Sequence, residues 1–232
     1  MAKLKLIAFD ADDTLWHNER FFRTTEASFA AMLRDHADED HLSERLLETE
    51  RRNLARYGYG IKGFVLSMIE TAIEVTDGKA PAHLIRQIID AGHEMMKHPV
   101  ELMPHAAETV EALRKNYKVI LLTKGDLFDQ ERKIALSGLA DMFEAIEIVS
   151  DKNIDTYRTF FTRYGEAPAS TMMVGNSLKS DVNPAIEAGG WGVYVPQEDL
   201  AWAMEHADKL DGHERFREIA NLGDLPELVS KL

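Results

Sequence analysis

Five short apolar runs punctuate the chain, at residues 4–9, 118–123, 145–149, 171–174 and 192–195, and most of them end abruptly in polar or glycine residues. Runs of this length bounded by turn formers predict strands, and a strand buried on both faces lacks the alternation of a half-exposed one. The third run, around Glu147, does alternate, which predicts an edge or half-exposed place. Helical spacing fills the gaps at 108–115, 128–136, 155–164 and 182–188, with Gly138, Gly165 and Gly189-Gly190 as stop signals. Strand–helix alternation of this kind predicts a three-layer, Rossmann-like α/β fold: a parallel sheet of about five strands with helices on both faces. Leu222, Leu225, Leu228 and Val229 predict a closing helix against that sheet.

Residues 17–99 have a different pattern. Phe21, Phe22, Thr25, Phe29, Met32 and Leu33 recur at three- and four-residue steps, and Leu42, Leu46, Leu47 and Leu54 suggest a second helix. After Gly58, Gly60 and Gly63, a third stripe runs through Phe64, Val65, Met68, Ile69, Ala72 and Ile73; Pro81 opens a fourth through Leu84, Ile85, Ile88, Ile89 and Met95. A strand-free stretch of about 80 residues is too long for a connection between strands. It predicts an all-helical subdomain, residues 17–99, inserted into a sheet domain made of 1–16 and 100–232.

With 232 residues the chain can bury a full core. Its net charge of −13 argues against a nucleic-acid polymer as partner, while leaving small anionic substrates open, because a cleft can oppose the overall field. The absence of cysteine excludes disulfides, thiolate metal sites and a Cys nucleophile. No stretch approaches the roughly 18 apolar residues needed to cross a bilayer, and the N-terminus enters a strand without a charged and apolar leader. The expectation is a cytoplasmic protein, monomer or homodimer, with no membrane partner.

The candidate chemistry lies where the strands end. The first run stops on Asp10, Asp12 and Asp13. A polar turn would explain three acids there, since Asp is a good turn residue; an EF-hand loop would not, because its sixth position is Leu15 rather than Gly. The second run ends in Thr123-Lys124, the fourth in Gly175-Asn176-Ser177 with Asp181 soon after, and Lys152 follows the third. In a parallel sheet these ends share one edge, the usual ligand edge of an open α/β fold. A hydroxyl, lysines and several oxygen donors facing one another suit a phosphate and a hard divalent cation.

On these residues the chain resembles the haloacid dehalogenase superfamily, mostly phosphatases and phosphotransferases. Asp10-Ala11-Asp12-Asp13-Thr14 matches the first motif (Asp-x-Asp-x-Thr), Thr123 the second, Lys152 the third and Gly175-Asn176 with Asp181 the fourth. The insert falls where the family carries a helical cap, which would close over the site. The resemblance implies a Mg²⁺-dependent phosphatase acting on a small phosphorylated metabolite. Asp10 would be the nucleophile, forming an aspartyl-phosphate, and Asp12 the general acid and then the general base. Thr123 would hydrogen-bond the phosphoryl group and Lys152 would neutralise its charge. Asp10, Asp12, through its backbone carbonyl, Asn176 and Asp181 would lie at the metal. Asn176 departs from the Asp that relatives carry there, and Lys152 lacks the Lys-Pro pair of many relatives.

Lys124, where relatives have Asn or Ser, either binds phosphate by its charge or pairs with Asp126. Thr14 is expected to stabilise the turn, and Trp16, Trp191 and Trp202 to pack. Candidate substrate contacts of the cap are residues 56–62 and 17–20. Alternative activities on the same fold are 2-haloacid dehalogenase chemistry, which needs no proton donor, and phosphomutase chemistry. A non-catalytic regulatory protein with a weakened metal site is the alternative from another class.

Overall fold

The computed structural model describes residues 3–197 and 203–232, and Trp202 lies outside the described residues. The chain divides into two compact units, one comprising Met1–Glu19, Val100–Lys124 and Gln130–Leu232, the other Arg20–Pro99 with Gly125–Asp129.

The first unit is a six-stranded sheet in the order β3-β2-β1-β4-β5-β6, built from β1 (Leu6–Phe9), β2 (Lys118–Lys124), β3 (Ala145–Val149), β4 (Thr171–Gly175), β5 (Trp191–Tyr194) and β6 (Phe216–Glu218). Every pairing is parallel. The alternating run β3 occupies an edge, as its pattern predicts, and the fully apolar β1 lies inside the sheet. β6 is the one strand beyond the expected five. It has three residues, Phe-Arg-Glu, and no periodicity to reveal it; its register with Gly192–Tyr194 defines it.

Successive residues of the inner strands face opposite layers. Ile7, Phe9, Val119, Leu121, Met172 and Val174 join the core that includes Ala106, Val110 and Leu113 of α5 (Ala106–Leu113), with Leu222, Leu225 and Val229 near the C-terminus. Leu6, Ala8, Ile120, Leu122 and Met173 pack with Tyr157, Phe160 and Phe161 of α7 (Ile154–Arg163). The closing helix is α9 (Leu225–Ser230). α6 (Leu127–Ser137) follows β2, and α8 (Asn183–Glu187) follows one turn of π-helix at Leu178–Val182. The helix expected over 182–188 is therefore preceded by a wider turn, a geometry that often occurs at functional sites.

The second unit holds α1 (Glu19–Leu33, entering it at Arg20), α2 (Glu39–Tyr57), α3 (Ile61–Val75) and α4 (Ala82–Met95). Their inward stripes form an apolar core that includes Phe29, Leu33, Leu42, Leu46, Phe64, Met68, Leu84 and Ile88. Asp38 caps α2 by accepting from the His41 N–H at 2.9 Å. Gly60 opens α3 at φ +113, and a Cβ there would come within 3.2 Å of the Asp126 Cβ. Lys62 donates to Asp126 at 2.9 Å.

Candidate active site

At the carboxyl end of β1 the chain continues into Asp10-Ala11-Asp12-Asp13-Thr14, and the carboxyl ends of β2 and β4 flank it. This is the switch point of the sheet, where strand order reverses and ligands collect. Lys152 stands one residue ahead of Asn153, whose side chain accepts from the Thr156 N–H at 3.0 Å and starts α7. That cap fixes the backbone from which the lysine reaches inward.

The Lys152 side chain is 1 % exposed and donates to Asp10 Oδ1 at 2.5 Å and to Asp181 Oδ1 at 2.8 Å. Burial alone would lower the lysine's pKa, but the two carboxylates hold it raised and the ammonium charged. Burial likewise drives Asp181 above the ordinary carboxylate range, with Lys152 pulling against it. One cation between two acids leaves an excess of negative charge in a place with almost no water. Gly175 makes that packing feasible: a Cβ on it would fall 2.3 Å from Asp181 Oδ2. That same Oδ2 accepts from the Ser177 N–H at 3.0 Å.

Thr14 links the first motif to the fourth. Its hydroxyl lies 3.1 Å from Asp10 Oδ2 and 3.3 Å from Asn176 Oδ1, and accepts from the Asn176 N–H at 3.1 Å. One hydroxyl proton thus serves two acceptor oxygens. That pair of oxygens is short of donors, which fits a hard cation completing its sphere with water and substrate. Among the described residues no group of three or more His, Cys, Asp and Glu side chains is arranged to hold a metal; Asp10 and Asn176 offer the two side-chain oxygens that meet at the Thr14 hydroxyl. Thr14 does more than stabilise a turn. The Thr123 hydroxyl, at the end of β2, is buried with no hydrogen-bond partner among the described residues. A buried donor without an acceptor costs stability and is an opening for an anionic oxygen.

The Asp12 carboxylate is held by its own set of donors. Its carboxylate accepts from Trp16 Nε1 at 2.7 Å, from Gln130 Nε2 at 2.8 Å and from Lys133 Nζ at 2.7 and 2.8 Å. Trp16 is packed in the core, as expected, and is also one of these donors. Asp13 is left-handed at φ 60 and accepts from the N–H groups of Asn18 and Glu19. Burial pushes its carboxyl up to about 7 against those two bonds.

Lys124 pairs with Glu205 beside the fourth motif. Its ammonium donates to Glu205 at 2.6 Å and Ser180 Oγ at 2.7 Å, while Asp126 pairs with Lys62. Burial alone would raise Glu205, yet Lys124 and the hydroxyls of Ser177 and Ser180 hold it below the usual range. Lys124 therefore sits in a neutralised pair beside the fourth motif.

Gln130, Lys133 and Glu205 were beyond sequence reading. The one available signal was that Gln130 and Lys133 fall beside Ile134 on the inward stripe of α6, where apolar residues are the rule.

A cluster of acids, lysines and hydroxyls at the switch point of a parallel α/β sheet is the class of site these features define. The family model for haloacid dehalogenase-like hydrolases matches residues 4–189, and the chain belongs to that family. It is 22% identical over 213 residues to the glyceraldehyde 3-phosphate phosphatase of Methanothermobacter thermautotrophicus, covering 89% of this chain and 92% of that one. It is 23% identical over 203 residues to the human N-acylneuraminate-9-phosphatase, covering 82% and 81%. A solved haloacid dehalogenase-like hydrolase from Xanthomonas campestris is 42% identical, covering 98% of this chain and 91% of that one, with a TM-score of 0.87. None of the described helices is long and apolar enough to cross a membrane.

Proposed function

We propose that the protein is a phosphatase that hydrolyses a small phosphorylated metabolite in two steps through Asp10. The observation that carries this reading is the Asp10–Lys152–Asp181 trio beside the unpartnered hydroxyl of Thr123. The phosphatases named among the relatives support it at low identity. In the first step an Asp10 carboxylate oxygen attacks phosphorus and the bond to the substrate oxygen breaks, leaving an aspartyl-phosphate. Asp12 delivers a proton to the departing oxygen and then takes one from the water that cleaves the intermediate. Lys152 offsets charge on the nucleophile and the transferring group, and the Thr123 O–H donates to a phosphoryl oxygen.

Asp10 and Asn176, with the Asp12 carbonyl and Asp181 adjoining, would hold a Mg²⁺ ion, which supplies charge neutralisation for the phosphoryl group. The helical residues 17–99 take the family's cap role in this reading, selecting the leaving group.

Hydrolysis of 4-nitrophenyl phosphate with and without Mg²⁺ tests it, using wild type and Asp10→Asn. The expected outcome is metal-dependent turnover that falls at least ~10³-fold in the variant. Wild-type protein without turnover on aryl or alkyl phosphates, or a variant as active as wild type, overturns the reading.

A further inference from the structure

The Asp12 cluster is more elaborate than a helix attachment requires. Gln130 and Lys133 lie three residues apart on α6, so they share one face of the helix. They are 2 % and 6 % exposed. Burying a lysine is costly unless its charge is met, and here Asp12 meets it, bridged through both oxygens at 2.7 and 2.8 Å. Lys133 also donates to Asn18 Oδ1 at 3.2 Å, and Gln130 Nε2 to the Lys124 carbonyl at 3.0 Å, which ties Gln130 to the end of β2 and Lys133 to the segment just before α1. Trp16 Nε1 completes the set at 2.7 Å on Oδ1. Three donors from two directions leave the carboxylate little rotational freedom. Its side chain nonetheless stays 22% exposed, against 8% for Lys133.

We propose that Gln130 and Lys133 are positioning residues that hold the Asp12 carboxylate in the orientation needed for proton transfer to the departing substrate oxygen and from the attacking water. The assignment rests on the phosphatase reading above. Neither residue touches the reacting atoms; both act through Asp12. Proton transfer by a placed side chain contributes typically 10²–10⁴-fold, and misplacement forfeits part of it.

The test compares Lys133→Met and Gln130→Leu, alone and combined with Asp12→Asn, on 4-nitrophenyl phosphate and on an alkyl phosphate. Lys133→Met is expected to lower kcat on the alkyl phosphate about 10²-fold with KM changed less than about threefold. The loss should be several-fold smaller on the aryl phosphate, whose leaving group needs little protonation. Gln130→Leu should follow the same pattern at about tenfold. In the Asp12→Asn background neither substitution should cost more than about twofold, because its effect has already been removed. Losses equal for both leaving groups, or fully additive with Asp12→Asn, overturn the proposal and leave a structural staple. Circular dichroism checks folding; if Lys133→Met does not fold, the uncharged Gln130→Leu series decides alone. Wild-type protein inactive on both substrates defeats the phosphatase reading instead, which keeps the two failures apart.

Discussion

Lys152 and Arg52 each bridge two carboxylates, and they have little else in common. Lys152 holds Asp10 and Asp181, with side chains 1%, 9% and 1% exposed. Arg52 in the helical unit holds Glu70 and Glu74, with side chains 41%, 31% and 34% exposed. The count of charges is the same. Around Arg52 water does most of the solvation, and such pairs stabilise little. Around Lys152 the protein must replace water, so removing one member strands the others. Buried charge that is costly to assemble marks a site; the same trio on a helix surface marks only a solvated face.

Lys152→Met should break this contrast most sharply if the contrast is wrong. The expected outcome is loss of phosphatase turnover by at least ~10³-fold together with a loss of about 3 kcal/mol in urea unfolding, since Asp10 and Asp181 remain buried without their cation. Arg52→Met, its counterpart, should move Tm by no more than about 2 °C. Equal stability losses in the two variants would show that burial does not separate the trios.

Thr123→Val sharpens the same point from the neutral side. The Thr123 hydroxyl is buried and has no partner among the described residues, so an isosteric methyl should leave stability unchanged or raise it by up to ~1 kcal/mol. Turnover of an aryl phosphate should nevertheless fall about 10²-fold, as for removal of one donor to a developing anion. A variant that loses stability but keeps its kcat would make Thr123 a core residue. Activity and stability moving in opposite directions is the signature of a group kept for its ligand.

How much of this was legible beforehand depends on where each residue's partner comes from. β1, β2 and β4 were legible as apolar runs because their sequences face protein on both sides. Asp10, Thr123, Lys152, Asn176 and Asp181 stood out because each lies at or shortly after such a run, in the order of the family's motifs. The partners of Asp12 and Lys124 did not. Gln130 is 118 positions from Asp12 and Lys133 is 121, and Glu205 is 81 from Lys124. A helical lysine or a late glutamate carries no spacing that announces a partner so distant; only the folded chain brings them together. β6 escaped for a related reason, since a three-residue strand is defined by its neighbour's register rather than by its own sequence.

Glu50 tests whether the helical unit holds any electrostatic cost of its own. It lies on α2, where burial pushes its carboxyl up to about 8, with Glu26 adding to the rise and Arg23 opposing it. Because the folded-state value exceeds the unfolded one, the folded protein retains a proton that the unfolded chain gives up. Stability from this group is therefore full below about 4.5 and drains away as pH rises towards 8. Gln is the shape of the protonated form and has nothing to lose. Glu50→Gln should match wild type in urea unfolding near pH 4.5 and exceed it progressively up to pH 8, by roughly 1–2 kcal/mol. A difference that does not change with pH would mean that Glu50 is solvated like the Arg52 network. A difference that grows as expected would show a buried acid in the helical unit, and so give a measure of what the Asp10–Lys152–Asp181 trio would cost if Lys152 were absent.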